Sequence, residues 1–221
     1  MIKAKAESVL VTYDLNAEIV RNYAGIDKGE ATDVDLTSIV DDYAELFGDE
    51  AEAKGVKFVV SRPPDAVIIR AHEDKLRRLV ANLMDNAVKY TERGSVSVTL
   101  ETTKSKFFLT VADTGVGMTE DEKRLMYNEY YRTKRTKGKP GIGHGLAMIG
   151  SIMKFYGSEA KCDSALGKGT TFTVTLPLDL TPRKTAIRRA LGRCGGWVKS
   201  AYSKARTKLF RAPELKNKKE L

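Results

Sequence analysis

The chain is predicted to fold as a two-layer α/β sandwich, a mixed and mostly antiparallel sheet covered on one face by helices. Three observations point there. Apolar residues recur at helical steps over residues 36–47, 72–90 and 145–156. Residues 95–101, 106–112 and 170–176 are rich in β-branched and aromatic side chains beside polar turns, the pattern of paired strands. The two kinds of segment are interleaved along 221 residues of which 42% are apolar, enough to pack one core between a helical layer and a sheet.

Taken in order, residues 1–24 set Val9, Leu10, Tyr13, Ile19, Val20 and Tyr23 at helical spacing, and the glycine- and acid-rich stretch 25–35 reads as a helix end and a linker. Asp35-Leu36-Thr37 opens a second helix, because an Asp or Thr oxygen can accept from the free N–H groups of a first turn. Its stripe is Leu36, Ile39, Val40, Tyr43, Leu46 and Phe47. Residues 56–60 and 66–69 read as strands around Pro63-Pro64-Asp65, which stops the first and turns the chain toward the second. A strong helix over 72–90 puts Leu76, Leu79, Val80, Leu83, Met84 and Ala87 on one face, and residues 95–101 and 106–112 pair as a hairpin. The polar stretch 119–140 is too long for an ordinary connection and reads as a mobile lid. A helix over 145–156 follows, strands at 161–163 and 170–176 finish the sheet, and Pro177 ends it. The expected divisions are therefore 1–32, 33–180 and 181–221.

The net charge of +9 belongs to the last of these. Residues 181–221 hold 13 Lys and Arg against 2 Asp and Glu, which leaves 25 against 27 for residues 1–180. Within the tail, Ile187, Leu191, Cys194, Val198, Tyr202, Ala205 and Leu209 recur at helical steps among basic residues, a basic amphipathic helix broken at Gly195-Gly196. An anionic membrane surface, with Trp197 and Phe210 at the interface, or an acidic partner suits it; packing of the stripe on the domain is the plainer alternative, and nucleic acid is the less expected partner. No apolar run approaches the roughly 18 residues that cross a bilayer, and Met1-Ile2-Lys3-Ala4-Lys5-Ala6-Glu7 lacks the apolar stretch of a secretory signal, so the cytoplasm is the expected compartment. Cys162 and Cys194 are too few for a disulfide framework or a metal quartet and are expected as free thiols.

Four segments carry chemistry. In Asn82-Leu83-Met84-Asp85-Asn86-Ala87-Val88-Lys89-Tyr90 the two asparagines lie four apart on one helix face, with Lys89 three further on. Carboxamide oxygens suit a hard divalent cation, and an ammonium beside them suits the phosphates such a cation bridges. Asp113-Thr114-Gly115-Val116-Gly117 follows a strand directly. A carboxylate there can accept from an exocyclic amine, and the glycines let backbone approach a ring. Gly141-Ile142-Gly143-His144-Gly145-Leu146 precedes a helix, where exposed N–H groups and the helix dipole bind phosphate. No strand precedes it, which disfavours a dinucleotide site. The fourth segment is Gly167-Lys168-Gly169-Thr170-Thr171-Phe172. In the lid, Arg132, Lys134, Arg135, Lys137 and Lys139 are within sequence reach of phosphates or form a solvated charge run.

In this order and spacing the segments resemble the nucleotide-binding boxes of the sensor histidine kinase catalytic domain, a member of the Bergerat ATP-binding family that includes gyrase and mismatch-repair ATPases. The resemblance covers about residues 33–178. It implies the Bergerat α/β fold with an ATP lid, and ATP and Mg²⁺ as ligands. It implies Asn86 as principal Mg²⁺ ligand with Asn82 assisting, Lys89 on phosphate and Tyr90 beside the adenine. Asp113 would take the adenine amine, Gly115 and Gly117 would shape the pocket, and Thr170 would support the same hydrogen-bond network. Gly141, Gly143, His144, Gly145 and Leu146 would form the phosphate loop. Tyr127-Asn128-Glu129-Tyr130-Tyr131-Arg132 resembles the lid motif, with Tyr at Tyr127 and Tyr130 where Phe is usual; Tyr131 would meet the nucleotide and Arg132 the γ-phosphate. Where the related ATPases carry a Glu that activates water, this chain has Asn82, and an amide cannot take a proton from water, so phosphoryl transfer is expected over hydrolysis.

The resemblance also implies an acceptor histidine on a dimerisation domain, homodimeric in the full protein, and a response-regulator receiver domain that takes the phosphoryl group onward. The histidines here are His72, read as a surface or capping residue, and His144, read as a tolerated substitution in the phosphate loop. Residues 1–24 look like the end of a dimerisation helix, so the chain is expected to be a fragment, the cytoplasmic part of a sensor, lacking its acceptor. Two alternatives stay open: a stand-alone Bergerat protein-serine kinase of anti-sigma-factor type, and a non-catalytic ATP-sensing scaffold.

Overall fold

Asp35 begins the helical layer as its side chain predicts: Oδ1 accepts from the N–H groups of Thr37 at 2.9 Å and Ser38 at 3.3 Å, and helix α1 (Leu36–Ala53) runs from that cap. The computed structural model describes residues 30–128 and 145–180; the expected helix over 1–24 and the basic tail, with Cys194, Trp197 and Phe210, lie outside the described residues. Helix α1 buries Leu36, Ile39, Val40, Phe47 and Ala51, whereas Leu46, expected in the stripe, is 59% exposed. At about 100° per residue it sits a quarter-turn off the face that Phe47 and Ala51 share.

The stretch read as linker contributes a strand. β1 (Thr32–Asp35) pairs antiparallel with β3 (Ile68–Ala71) as a separate two-stranded sheet. Thus β3 does not follow β2 (Lys57–Ser61) into one ladder across Pro63-Pro64-Asp65. Val67 explains the difference, since its N–H donates to Thr37 Oγ1 at 3.0 Å and its carbonyl accepts from Leu36 N–H at 2.9 Å, tying the segment to the start of α1. Beyond the main sheet the chain returns to β3, where Arg70 N–H donates to the Leu178 carbonyl at 2.8 Å and its carbonyl accepts from Leu180 N–H at 2.7 Å.

Helix α2 (Glu73–Tyr90) carries the strongest apolar stripe, with Leu76, Leu79, Val80, Leu83 and Met84 each 1% exposed or less. Full burial of such side chains contributes about 1.5–3 kcal/mol each. His72 holds the N-cap position of this helix, its carbonyl accepting from Leu76 N–H at 3.2 Å, but its side chain makes no capping bond, and the expectation of a surface histidine is corrected: the residue is buried. The cause comes from far along the chain. Helix α4 (Gly145–Phe155) ends with Phe155 edge-on to the His72 ring at 5.1 Å, and Tyr156 Oη accepts from His72 N–H at 3.3 Å. Beneath the same aromatic ring lies Lys75, wholly buried, its Nζ 4.6 Å from the Phe155 centroid.

The main sheet runs β2, β4 (Ser95–Thr102), β5 (Lys106–Asp113), β7 (Gly169–Pro177), β6 (Lys161–Ala165). β2 and β4 are parallel, with α2 in the crossover, and every other pair is antiparallel, including the expected β4–β5 hairpin. Strict alternation buries Val96, Val98 and Leu100 on β4, Phe107, Leu109 and Val111 on β5, and Phe172, Val174 and Leu176 on β7. These residues share one core with the apolar faces of α1, α2 and α4. The sandwich with one helix-covered sheet face is the fold the sequence predicted.

Candidate functional site

The C-terminal end of β5 delivers Asp113 between two strands, opposite Val96 of β4 and Thr170 of β7. Its Oδ1 accepts from the Gly115 N–H at 2.8 Å and the Thr170 N–H at 3.3 Å. Both recorded bonds fall on one oxygen, which leaves Oδ2 for the cavity that Asp113 lines. Burial pushes the carboxyl up to about 6 from the usual carboxylate range, against the pull of those two N–H groups. The carboxylate is therefore fixed in place and poorly hydrated.

The glycines around it are required by crowding. A Cβ on Gly115 would lie 2.3 Å from the Tyr90 carbonyl oxygen, at the end of α2. Gly117, at φ +63°, would place one 2.0 Å from the Ala165 carbonyl oxygen, and Gly169, at φ +84°, one 1.9 Å from that of Asp113. Backbone thus packs on backbone around the end of the cavity that holds Asp113. Ser164, which the sequence did not single out, fastens this packing. Its Oγ accepts from Met118 N–H, donates toward the Gly169 carbonyl and meets Thr170 Oγ1, each at 2.9 Å.

These elements line a cleft that is partly open to solvent, apolar with a few convergent polar groups, the character of a small-ligand site. Leu83, Met118, Met126, Leu146 and Phe172 give it apolar walls, and Asn86, Tyr90, Asp113 and Thr170 bring polar groups to its edge. Of the walls, only Leu146 stood among the sequence candidates. Glu122 also lines it, in a reciprocal cap with Thr119 at the start of α3 (Glu120–Leu125).

Beyond the cavity, Asn82 Nδ2 donates to the Arg78 carbonyl and Asn86 Nδ2 to the Asn82 carbonyl, both at 2.7 Å. Each carboxamide spends one of its two amide hydrogens on its own helix. The first residue of α4 closes over them: a Cβ on Gly145 would lie 3.1 Å from Asn82 Oδ1 and 3.1 and 3.4 Å from Asn86 Nδ2 and Oδ1. Two neutral carboxamide oxygens suit Mg²⁺, which keeps several waters and binds through few protein ligands and substrate phosphates, while the helix N-terminus beside them favours phosphate rather than the cation. Lys89 Nζ stands 5.4 Å from the centroid of the Tyr90 ring. Tyr127 roots the chain before residue 129: its Oη donates to the Ala160 carbonyl at 3.1 Å and its ring lies against Gly150 of α4. Burial drives its phenol up to about 12. Tyr130, Tyr131, Arg132, Lys134, Arg135, Lys137, Lys139, Gly141, Gly143 and His144 lie outside the described residues. Cys162 is a free thiol, as expected, and burial raises it to about 11. Among the described residues no helix is long and apolar enough to cross a membrane.

Residues 71–180 match the family described as histidine kinase-, DNA gyrase B-, and HSP90-like ATPase. The adaptive-response sensory kinase SasA of Crocosphaera subtropica (strain ATCC 51142 / BH68) is 32% identical over 149 residues, covering 66% of this chain and 39% of that protein. Among solved structures, the mycobacterial sensor histidine kinase MprB superposes with a TM-score of 0.56 at 25% identity, over 66% of this chain and 97% of that one. The nucleotide-free catalytic domain of histidine kinase ThkA shares the fold, with a TM-score of 0.60 at 21% identity over 68% of this chain and 99% of that one. The chain spans about two fifths of SasA's length.

Proposed function

Because the chain belongs to the histidine kinase-, DNA gyrase B- and HSP90-like ATPases and carries the ATP-binding catalytic domain of a histidine kinase, we propose that it passes the γ-phosphate of Mg-ATP to a histidine on a separate dimerisation domain, for relay to a response-regulator aspartate. The observation that carries the ligand is the pairing of a part-buried Asp113 carboxyl, its Oδ1 held by two N–H groups, with an apolar cavity that Asn86 also lines and with the two carboxamides that flank Gly145.

In this reading Asp113 Oδ2 accepts from the exocyclic amine of adenine, Thr170 supports it, and Gly115 and Gly117 bring the backbone against the ring. Leu83, Met118 and Phe172 exclude water from the base. Asn86 and Asn82 Oδ1 hold Mg²⁺, which when bound would neutralise charge on the phosphates. Lys89 and Arg132 add positive charge on the phosphate side, Tyr90 flanks the base, and Tyr131, Gly141, Gly143, His144, Gly145 and Leu146 complete the nucleotide cradle. Asn82 has no basic atom for water, since the nitrogen lone pair of a carboxamide is delocalised into its carbonyl. Transfer then rests on positioning and on charge neutralisation. The sensory-kinase relatives weigh against the serine-kinase and scaffold alternatives.

Calorimetry on the full chain tests the ligand: Mg-ATP binds, GTP does not, and Asp113→Ala and Asn86→Ala each lose binding. Near-wild-type affinity in both variants would refute the site. Supplying a histidine-bearing dimerisation domain and following label from γ-labelled ATP tests the transfer, and absence of label on histidine would refute it.

A further inference from the structure

Ser164 lies on β6, and its Oγ is the hub of three buried contacts whose hydrogens can be counted. The partners are Met118 N–H, the Gly169 carbonyl and the Thr170 hydroxyl, each at 2.9 Å. Three hydrogens are available: one on Met118 nitrogen, one on Ser164 and one on Thr170. The Gly169 carbonyl cannot donate, so the Ser164 hydrogen must point at it for that contact to be a bond. The remaining contact then requires Thr170 to donate to Ser164. If Ser164 instead donated to Thr170, a buried pair of bare oxygens would face each other at Gly169, a cost of about 1–3 kcal/mol for the unsatisfied group. One assignment uses every hydrogen.

We propose that Ser164 is a positioning residue for base selection, acting through Thr170: it engages the Thr170 hydrogen, so that Thr170 Oγ1 meets the ligand as an acceptor only. Asp113 and Thr170 are partners across β5 and β7 and line the same cavity, so the base edge meets two acceptors side by side. Such a pair welcomes a 6-amino group, directly or through a water, and repels a 6-oxo group. Asp113 alone would not suffice, because a freely rotating Thr170 hydroxyl could donate to the oxo group and offset the repulsion. The inference rests on the adenine reading above.

The test compares ATP with ITP, which differ in the position-6 group and in the N1 hydrogen that ITP carries, by calorimetry on the full chain. Wild type prefers ATP. In Ser164→Ala the Thr170 hydroxyl is released and the ATP-over-ITP ratio narrows about fivefold, the worth of one buried hydrogen bond. Ser164→Cys, close in volume and a weak donor, narrows it in the same direction, so the question is answered even where the alanine variant does not melt cooperatively. In a Thr170→Val background Ser164→Ala has no further effect on the ratio. A ratio unchanged in Ser164→Ala and Ser164→Cys, with both ligands weakened alike, would overturn the proposal, as would narrowing that persists in Thr170→Val. A wild type without preference for ATP would instead overturn the adenine reading, and this inference with it.

Discussion

The two ends of the cleft are held in opposite ways. At the base end, Asp113, Gly117, Ser164 and Gly169 are locked to neighbouring backbone, with virtual Cβ clearances of 2.0 Å at Gly117 and 1.9 Å at Gly169. At the other end, the Asn82 and Asn86 side chains bond, among the described residues, to their own helix. The base end therefore has its geometry before any ligand arrives, while the phosphate end presents donor oxygens whose geometry the ligand completes. On the proposed reading, recognition is preorganised where specificity is needed and adaptable where charge is gathered.

If that contrast holds, a substitution at the base end should cost the fold and one at the phosphate end only the ligand. Gly117→Ala and Gly169→Ala force a side chain into backbone at positive φ and should each lower unfolding free energy by on the order of 3 kcal/mol or more, read by denaturant titration. Asn86→Ala should leave that curve within about 1 kcal/mol of wild type yet weaken Mg-ATP on the order of a hundredfold by calorimetry. Equal destabilisation by both kinds of substitution would erase the distinction.

Proton linkage separates the ends further. The Asp113 carboxyl sits at about 6 in the fold against an ordinary 3.8, so protonation is favoured by folding. Its contribution to stability is full below about 3.8 and is lost as pH rises through about 6, by roughly 3 kcal/mol at most. Ligand binding has the opposite sign. The proton goes to Oδ2, because Oδ1 already accepts two N–H groups, and a protonated Oδ2 cannot accept from an amine. ATP affinity should thus be about tenfold lower at pH 5 than at pH 7.5, and Asp113→Asn should remove that pH dependence. The smallest effect expected is in Tyr127→Phe, which loses the bond to Ala160 and should cost about 1 kcal/mol in thermal unfolding without altering preference for ATP over ITP.

Much of the cleft was legible from its segments taken together. Glycines after a strand-end aspartate are common in turns and asparagines four apart on solvated helix faces, so it is the order and spacing of the segments together that pointed to one cleft. The sandwich was legible from its two periodicities. Ser164 was not, since a serine in a short strand looks the same whether it faces water or a buried carbonyl. His72 and Lys75 were misread or passed over because their burial depends on Phe155 and Tyr156, contributed by a helix about 80 positions later. The β1–β3 ladder was missed because strands of four residues beside aspartate and proline carry little periodicity.

The bond from Thr170 N–H to Asp113 spans 57 positions of chain. Its two ends meet only after a large loop has closed, and the entropy of closing a flexible loop grows with the logarithm of its length, about 0.6 kcal/mol per doubling. Lengthening or shortening the connection between β5 and β7 would therefore change the equilibrium for forming this contact very little, as long as the β5–β7 register is kept. The length of that connection can vary over generations while the selectivity of the pocket stays put.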